Sequence, residues 1–182
     1  MPRYVALLRA VNLGPTRKVA MADLRACTQE LGFDDVRTHA LSGNVVFSAP
    51  RRSSDAIAKQ LRACYRETFG FDIPVMVRTQ AQLGAIVADN PLGGVADNPS
   101  RQHVYFLDKA IGDERLADLD RGDFAPEAWA LRGSELHVWS PGGTQQSRLA
   151  KELTTKRLGT EATVRTWRVV EKLVALTAGT GN

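Results

Sequence analysis

The chain is poor in the residues that build metal and redox centres, with two cysteines and three histidines in 182 residues. Cys27 and Cys64 stand far apart, outside any CxxC, each within a helical apolar pattern, so both are expected as small buried hydrophobic side chains. His39, His103 and His137 have no ligand-like spacing, which argues against zinc. Nothing in the sequence implies a metal or a cofactor. No apolar run approaches the roughly 18 residues that a membrane span needs. The N-terminal stretch Tyr4-Val5-Ala6-Leu7-Leu8 is interrupted by Arg9, too short for a signal-peptide core, and no small-residue cleavage site follows. The expected location is therefore the cytoplasm, with no membrane partner.

Several signatures are also missing. There is no GxxxxGK[ST] and no GxGxxG, which removes the two common nucleotide fingerprints. Ser42 lacks the GxSxG context, and the nearby His39 lies in the preceding predicted strand, so no catalytic triad is visible. An RNA-recognition sheet needs an aromatic run, and Val45-Val46-Phe47 offers one aromatic.

What is present is an ordinary globular composition, 43% hydrophobic and 24% charged. The net charge of +4 is unevenly spread. Residues 1–78 hold 12 Lys/Arg against 7 Asp/Glu, residues 79–145 hold 5 against 10, and residues 146–182 hold 7 against 3. Basic ends of this kind permit contact with an anion or a nucleic acid.

Apolar periodicity orders the elements. Tyr4 to Val11 reads as a strand, then Met21, Leu24, Cys27 and Leu31 recur at helical spacing up to Gly32. Val36 to Leu41 and Val45 to Ser48 read as strands joined by a Ser42-Gly43-Asn44 turn. Ile57, Leu61, Cys64, Tyr65 and Thr68 form a helical stripe ending at Gly70. Ile73 to Arg78 is a strand with Pro74 near its start, an edge signal, and Thr79 caps a helix to about Ala88. This is β-α-β-β-α-β plus one helix. The order then repeats. Gln102 to Leu107 is a strand, Asp113 to Arg121 a short acidic helix, and Trp129 to Arg132 and Leu136 to Trp139 a hairpin. Gln146 to Leu158 is a helix, Ala162 to Arg165 a strand, and a last helix runs to about Thr177. Val77-Arg78-Thr79 and Val164-Arg165-Thr166 occupy matching junctions. The expected fold is α+β, two ferredoxin-like βαββαβ subdomains each followed by an extra helix: residues 1–90, a linker at 91–100, and residues 101–182.

Arg9 is the strongest functional signal. In an extended strand it would share a face with Val5, Leu7 and Val11, and a guanidinium among apolar neighbours needs a carboxylate, carbonyls or a bound anion. Asn12 and Gly14 follow at the strand end, where a loop can aim N–H groups at an anion; turn formation is their plainer role. Ser42, Gly43 and Asn44 are explained equally by a hairpin turn. Gly142-Gly143-Thr144 precedes a helix carrying Ser147, Arg148 and Lys151, and Arg165 and Trp167 lie at the later strand-to-helix junction. A basic stripe of Lys59, Arg62 and Arg66, with Arg51 and Arg52, could instead meet nucleic-acid phosphates; such a stripe is also a common solvated helix face. The sequence fixes no oligomeric state.

The residues Ala6-Leu7-Leu8-Arg9-Ala10-Val11-Asn12-Leu13-Gly14, Val19-Ala20-Met21, Leu31-Gly32-Phe33 and Ser42-Gly43-Asn44-Val45-Val46-Phe47 resemble the bacterial domain of unknown function 1697 family. The likeness continues through Phe69-Gly70, Asn90-Pro91, Ser147-Arg148-Leu149, Leu158-Gly159 and Thr163-Val164-Arg165. It implies two ferredoxin-like subdomains and no established activity. Its signature positions fall on Arg9, Asn12, Gly14, Ser42, Gly43, Asn44, Arg165 and Trp167. The chain departs from the pattern at Thr166, Arg168 and Val169, where the family carries Asn, Asn and Thr, and at Ala10 and Pro15, where it favours glycine. Three readings stay open: a small phosphate- or carboxylate-bearing ligand held by Arg9, Asn12, Gly14 and the Ser42–Asn44 turn, with Arg165 and Trp167 from the second subdomain; a nucleic acid on the basic stretches; or a polar cluster that is purely structural.

Overall fold

The computed structural model describes residues 1–179. Residues 180–182, the end of the predicted C-terminal subdomain, lie outside the described residues. The structure divides into two compact units, Met1–Ala85 with the segment from Lys172 onward, and Ile86–Glu171.

The first unit holds β1 (Arg3–Leu8), α1 (Met21–Glu30), β2 (Asp34–His39), β3 (Asn44–Ser48), α2 (Ser54–Phe69) and β4 (Val75–Thr79); α3 (Gln80–Ala88) follows. The strands form one antiparallel sheet in the order β2-β3-β1-β4. That is the ferredoxin-like arrangement predicted, with β4 at the edge where Pro74 can precede it without breaking an inner ladder. All six residues of β1 are buried, on both faces. Tyr4, Ala6 and Leu8 point into a core with Leu24 and Cys27 of α1 and Ile57, Leu61 and Tyr65 of α2. On the opposite face lies the buried guanidinium of Arg3, which donates to Ser48 Oγ at 3.3 Å and to the Leu176 carbonyl at 3.4 Å, and pairs with Asp35 at 3.5 Å.

Cys27 and Cys64 are joined across α1 and α2 as a disulfide, with Cα atoms 6.4 Å apart. The expectation of two unconnected cysteines is therefore corrected: both stripes face one core, and facing stripes bring their small residues together. Immediately beside the bridge, Thr28 Oγ1 and Tyr65 OH share a hydrogen bond of 2.8 Å.

The second unit repeats the plan with β5 (Gln102–Leu107), β6 (Ala128–Arg132), β7 (Glu135–Trp139) and β8 (Ala162–Thr166) in the order β6-β7-β5-β8. Its first crossover is a 3-10 turn at Asp113–Arg115 and the one-turn helix α4 (Arg121–Phe124), not the single acidic helix predicted. Its second crossover, predicted as one helix over 146–158, is two: α5 (Arg148–Glu152) and α6 (Thr155–Leu158). Ser147 and Thr154 cap them, each hydroxyl accepting the N–H three residues on. Tyr105, Leu107, Trp129, Leu136, Val138, Leu149, Leu153 and Leu158 form the core. The final helix α7 (Trp167–Ala178) completes the chain. Among the described residues, no helix is long and apolar enough to cross a membrane.

The two sheets share a register detail. Arg78 of β4 lies opposite Val5, and Arg165 of β8 lies opposite Val104. Both side chains are buried, and each donates to the carbonyl of the preceding residue, at 3.0 and 2.9 Å. Thr79 and Thr166 then each accept from an N–H three residues further on.

Candidate functional site

Strand β1 stops at Leu8, so Arg9 does not share the face of Val5, Leu7 and Val11 as its spacing predicts. The ladder ends for a local reason. The Leu8 N–H donates to the Gly43 carbonyl at 2.9 Å, and the Arg9 N–H donates to the Pro74 carbonyl at 3.0 Å. Pro74 has no N–H to return, and Ala10 turns into the left-handed region at φ 55. Arg9 is half-buried in the loop that follows.

Three loops meet at this end of the first sheet. Asn12 joins two of them. Its Nδ2 donates to the Val19 carbonyl at 3.0 Å and to the Leu41 carbonyl at 2.9 Å, while its Oδ1 accepts from the Val19 N–H at 2.9 Å. Its own N–H closes the loop onto the Arg17 carbonyl at 3.1 Å. Arg17 reaches the third loop: Nε donates to the Ala10 carbonyl and Nη2 to the Asp72 carbonyl, both at 2.9 Å, with the guanidinium 4.7 Å from the Phe71 ring centre. Ala10, Asn12, Arg17 and Ala40 all have φ between 54° and 60°. Four non-glycine residues in that region, in two clasped loops, concentrate backbone strain of about 1 kcal/mol or more each.

Gly43 sits under this rim at φ 79, and a Cβ there would lie 2.8 Å from Leu8 Cβ and 3.0 Å from Val11 Cγ2. Its lack of a side chain lets the turn pack on the strand end. Gly14 is different, since a Cβ there would meet nothing within 4 Å. Asn44 is fully buried, and its Nδ2 donates to the His39 carbonyl at 2.7 Å and to Ser42 Oγ at 3.1 Å. The structure thus brings Arg9, Asn12, Gly14, Ser42, Gly43 and Asn44 to one end of the first unit.

Arg165 and Trp167 belong to the second unit. Arg165 donates to Thr163 Oγ1 at 2.7 Å, and burial pushes its guanidinium down to about 10. It remains a cation at neutral pH. The Trp167 ring lies 6.2 Å from that of His137. The basic stripe is partly committed: Arg62 and Arg66 both pair with Asp72, holding its carboxyl well below the usual range through hydrogen bonds and charge, and Arg52 donates to Gln60 at 3.0 Å. Arg51 and Lys59 are exposed. Among the described residues, no group of three or more His, Cys, Asp or Glu side chains could hold a metal.

Sequence reasoning missed Arg17 and Ala40. Arg17 lies in a loop without periodicity, where charge is unremarked, and alanine carries no signal for positive φ. Arg115, discussed below, was hidden in the segment read as an acidic helix.

The solved structure of a conserved bacterial protein, SP0830 from Streptococcus pneumoniae, superposes with a TM-score of 0.78 at 20% identity, covering 98% of this chain and 99% of that one. This likeness supports the two-subdomain fold. No curated protein matches the sequence. The family described as "Protein of unknown function (DUF1697)" matches residues 1–137. That span takes in the whole first unit up to Ala85, the strained rim and the second sheet as far as His137, and so this chain belongs to the DUF1697 family.

Proposed function

We propose that the rim formed by residues 9–18 and 40–44 binds a small molecule bearing a phosphate or a carboxylate, with Arg9 as the ion-pairing group. The observation that carries this reading is the clustering of four left-handed non-glycine residues in two loops clasped by one asparagine. Strain persists only where surrounding structure holds it, and it gathers at ligand sites.

The geometry changes how the orienting groups divide. The amides of Asn12 and Asn44 serve the protein's own carbonyls, so they shape the rim. The N–H groups of Leu13, Gly14 and Thr16 donate to no acceptor among the described residues. In this reading they are the donors for the ligand anion, beside the Arg9 fork. Arg17 and Asn12 preorganise the loop and lower the ordering cost of binding.

Titration with a panel of phosphate and carboxylate compounds, followed by calorimetry, tests the reading. We expect one class to bind, with Arg9→Ala weakening it at least about tenfold, since a charge-assisted pair contributes roughly 1.5–3 kcal/mol. Binding that is absent for every anion, or unchanged in Arg9→Ala, would refute it. Steep salt dependence with an oligonucleotide, lost on replacing Arg51 and Lys59 and kept in Arg9→Ala, would point instead to nucleic acid.

A further inference from the structure

The second unit carries an open cleft of about 460 Å³ whose lining includes Glu114, Arg115, Lys151, Glu152, Lys156 and Arg157. The cations come from three elements: Arg115 from the 3-10 turn, Lys151 from α5, and Lys156 and Arg157 from α6. Of the carboxylates in the lining, Glu152 is taken up by Arg157, and Glu114 is left as the one acidic side chain beside Arg115, Lys151 and Lys156. Arg157 takes both Asp118, at 2.5 Å, and Glu152, at 3.0 Å, and its Nε also donates to the Glu152 carbonyl at 3.1 Å. Glu114 curls back toward Gly112 of its own chain while still lining the cleft. Arg115, Lys151 and Lys156 have no ion-pair partner among the described residues.

Arg115 is also placed. Its guanidinium lies over Gly159, the left-handed cap of α6 at φ 69, and a Cβ there would come within 2.8 Å of Cζ. Any other residue at 159 would push the fork aside. A planar fork and two ammonium groups against the single carboxylate of Glu114 leave an excess of positive charge, which suits an extended anion with several phosphoryl oxygens. The volume falls within the range of small-molecule pockets, about 300–1,000 Å³.

From this geometry we infer a second anion site, independent of Arg9, that takes a small polyphosphate such as a nucleoside di- or triphosphate. Calorimetry with ATP, ADP, inorganic tripolyphosphate and adenosine, at low and moderate salt, tests it. We expect the three phosphate compounds to bind and adenosine not to. Equal affinity for ATP and tripolyphosphate would assign recognition to the phosphates alone; tighter ATP binding would assign a nucleotide. Arg115→Ala, Lys151→Ala and Lys156→Ala should each weaken binding about fivefold or more, and Gly159→Ala should weaken it while removing no charge. Arg9→Ala should leave it unchanged. The proposal is overturned if tripolyphosphate and ATP do not bind, if the Arg115, Lys151 and Lys156 variants bind as the parent does, or if Arg9→Ala abolishes binding and these variants do not. The last result would support the rim site alone.

Discussion

Asn12 makes three hydrogen bonds from one amide and adopts a backbone conformation in which asparagine is among the least strained choices. No hydrophobic substitute can hold the Leu41 carbonyl and both polar groups of Val19. Asn12→Ala should therefore lower unfolding free energy by roughly 2–3 kcal/mol, at about 1 kcal/mol per net hydrogen bond. It should also free the loop, which heightened amide exchange at residues 12–19 would register. Unchanged melting together with unchanged exchange would remove the argument that this residue preorganises the rim. Gly43 sets a second residue-scale test. Both the positive φ and the 2.8 Å approach to Leu8 forbid a side chain, so Gly43→Ala should destabilise by about 2 kcal/mol or more. Gly14→Ala meets open space and no positive φ, and should stay within about 0.5 kcal/mol of the parent. Parallel chemical-denaturation curves of the two variants check the contrast, and similar losses would sink it.

At the scale of elements, the link between α1 and α2 is the feature with the largest expected effect. The Cys27–Cys64 bridge closes a separation of 37 residues. In the chain-entropy account such a loop is worth roughly 2–4 kcal/mol, because the bridge restricts the unfolded chain. Reductant should lower the melting temperature by several degrees and expose two thiols to titration. Cys27→Ala should melt at the reduced protein's temperature and ignore reductant. A reductant-insensitive parent would mean that the thiols are not linked in solution. Neither cysteine advertised a partner in sequence, since each fits an apolar helical stripe equally well alone. The other elements show the same division between what periodicity reveals and what it hides. Short, near-continuous apolar runs made β1, β3, β5 and β7 legible, as expected for strands buried on both faces, and Gly70 and Gly159 marked true helix ends at φ 77 and 69. The end of β1 was hidden because Ala10 and Val11 continue the apolar run after the ladder has stopped at Pro74. The break between α5 and α6 had a sign in the spacing that was missed: at about 100° per residue one continuous helix would turn Leu158 to the face opposite Leu149, yet Leu149, Leu153 and Leu158 all reach one core. The rim was legible as residue types, with Arg9, Asn12 and the Ser42–Asn44 turn all at one end. Its strain was not, because Ala10 and Ala40 carry no side-chain sign of a left-handed backbone.

On the scale of the whole chain, the same βαββαβ plan occurs twice, and each sheet places buried polar groups on the face away from its helical core. In the second sheet that face carries Gln102, His137, Thr163 and Arg165, all buried. His137 is the one with a distinct consequence for solution behaviour. It is 1% exposed, and its Nδ1 has no hydrogen-bond partner among the described residues. Burial pushes its imidazole down to about 4, the positive charge of Arg132 acts in the same direction, and Asp89 opposes them. The unfolded chain titrates near the ordinary histidine value of about 6.5. Above that pH both states are neutral and the contribution of His137 to stability is fully present. Between about 6.5 and 4 the unfolded state takes up a proton that the folded state refuses, so stability falls as pH falls. The loss from this residue is on the order of 3 kcal/mol when complete. His137→Phe keeps an aromatic ring at the position next to Trp167 and removes the proton site. Across unfolding curves taken from pH 7.5 to 4.5 the variant should therefore lose less stability than the parent, and the gap between the two should change most steeply at about pH 5, midway between the folded and unfolded values. A constant difference at every pH would show that His137 takes up its proton equally in the folded and the unfolded chain, and would overturn the reading of a neutral, buried imidazole.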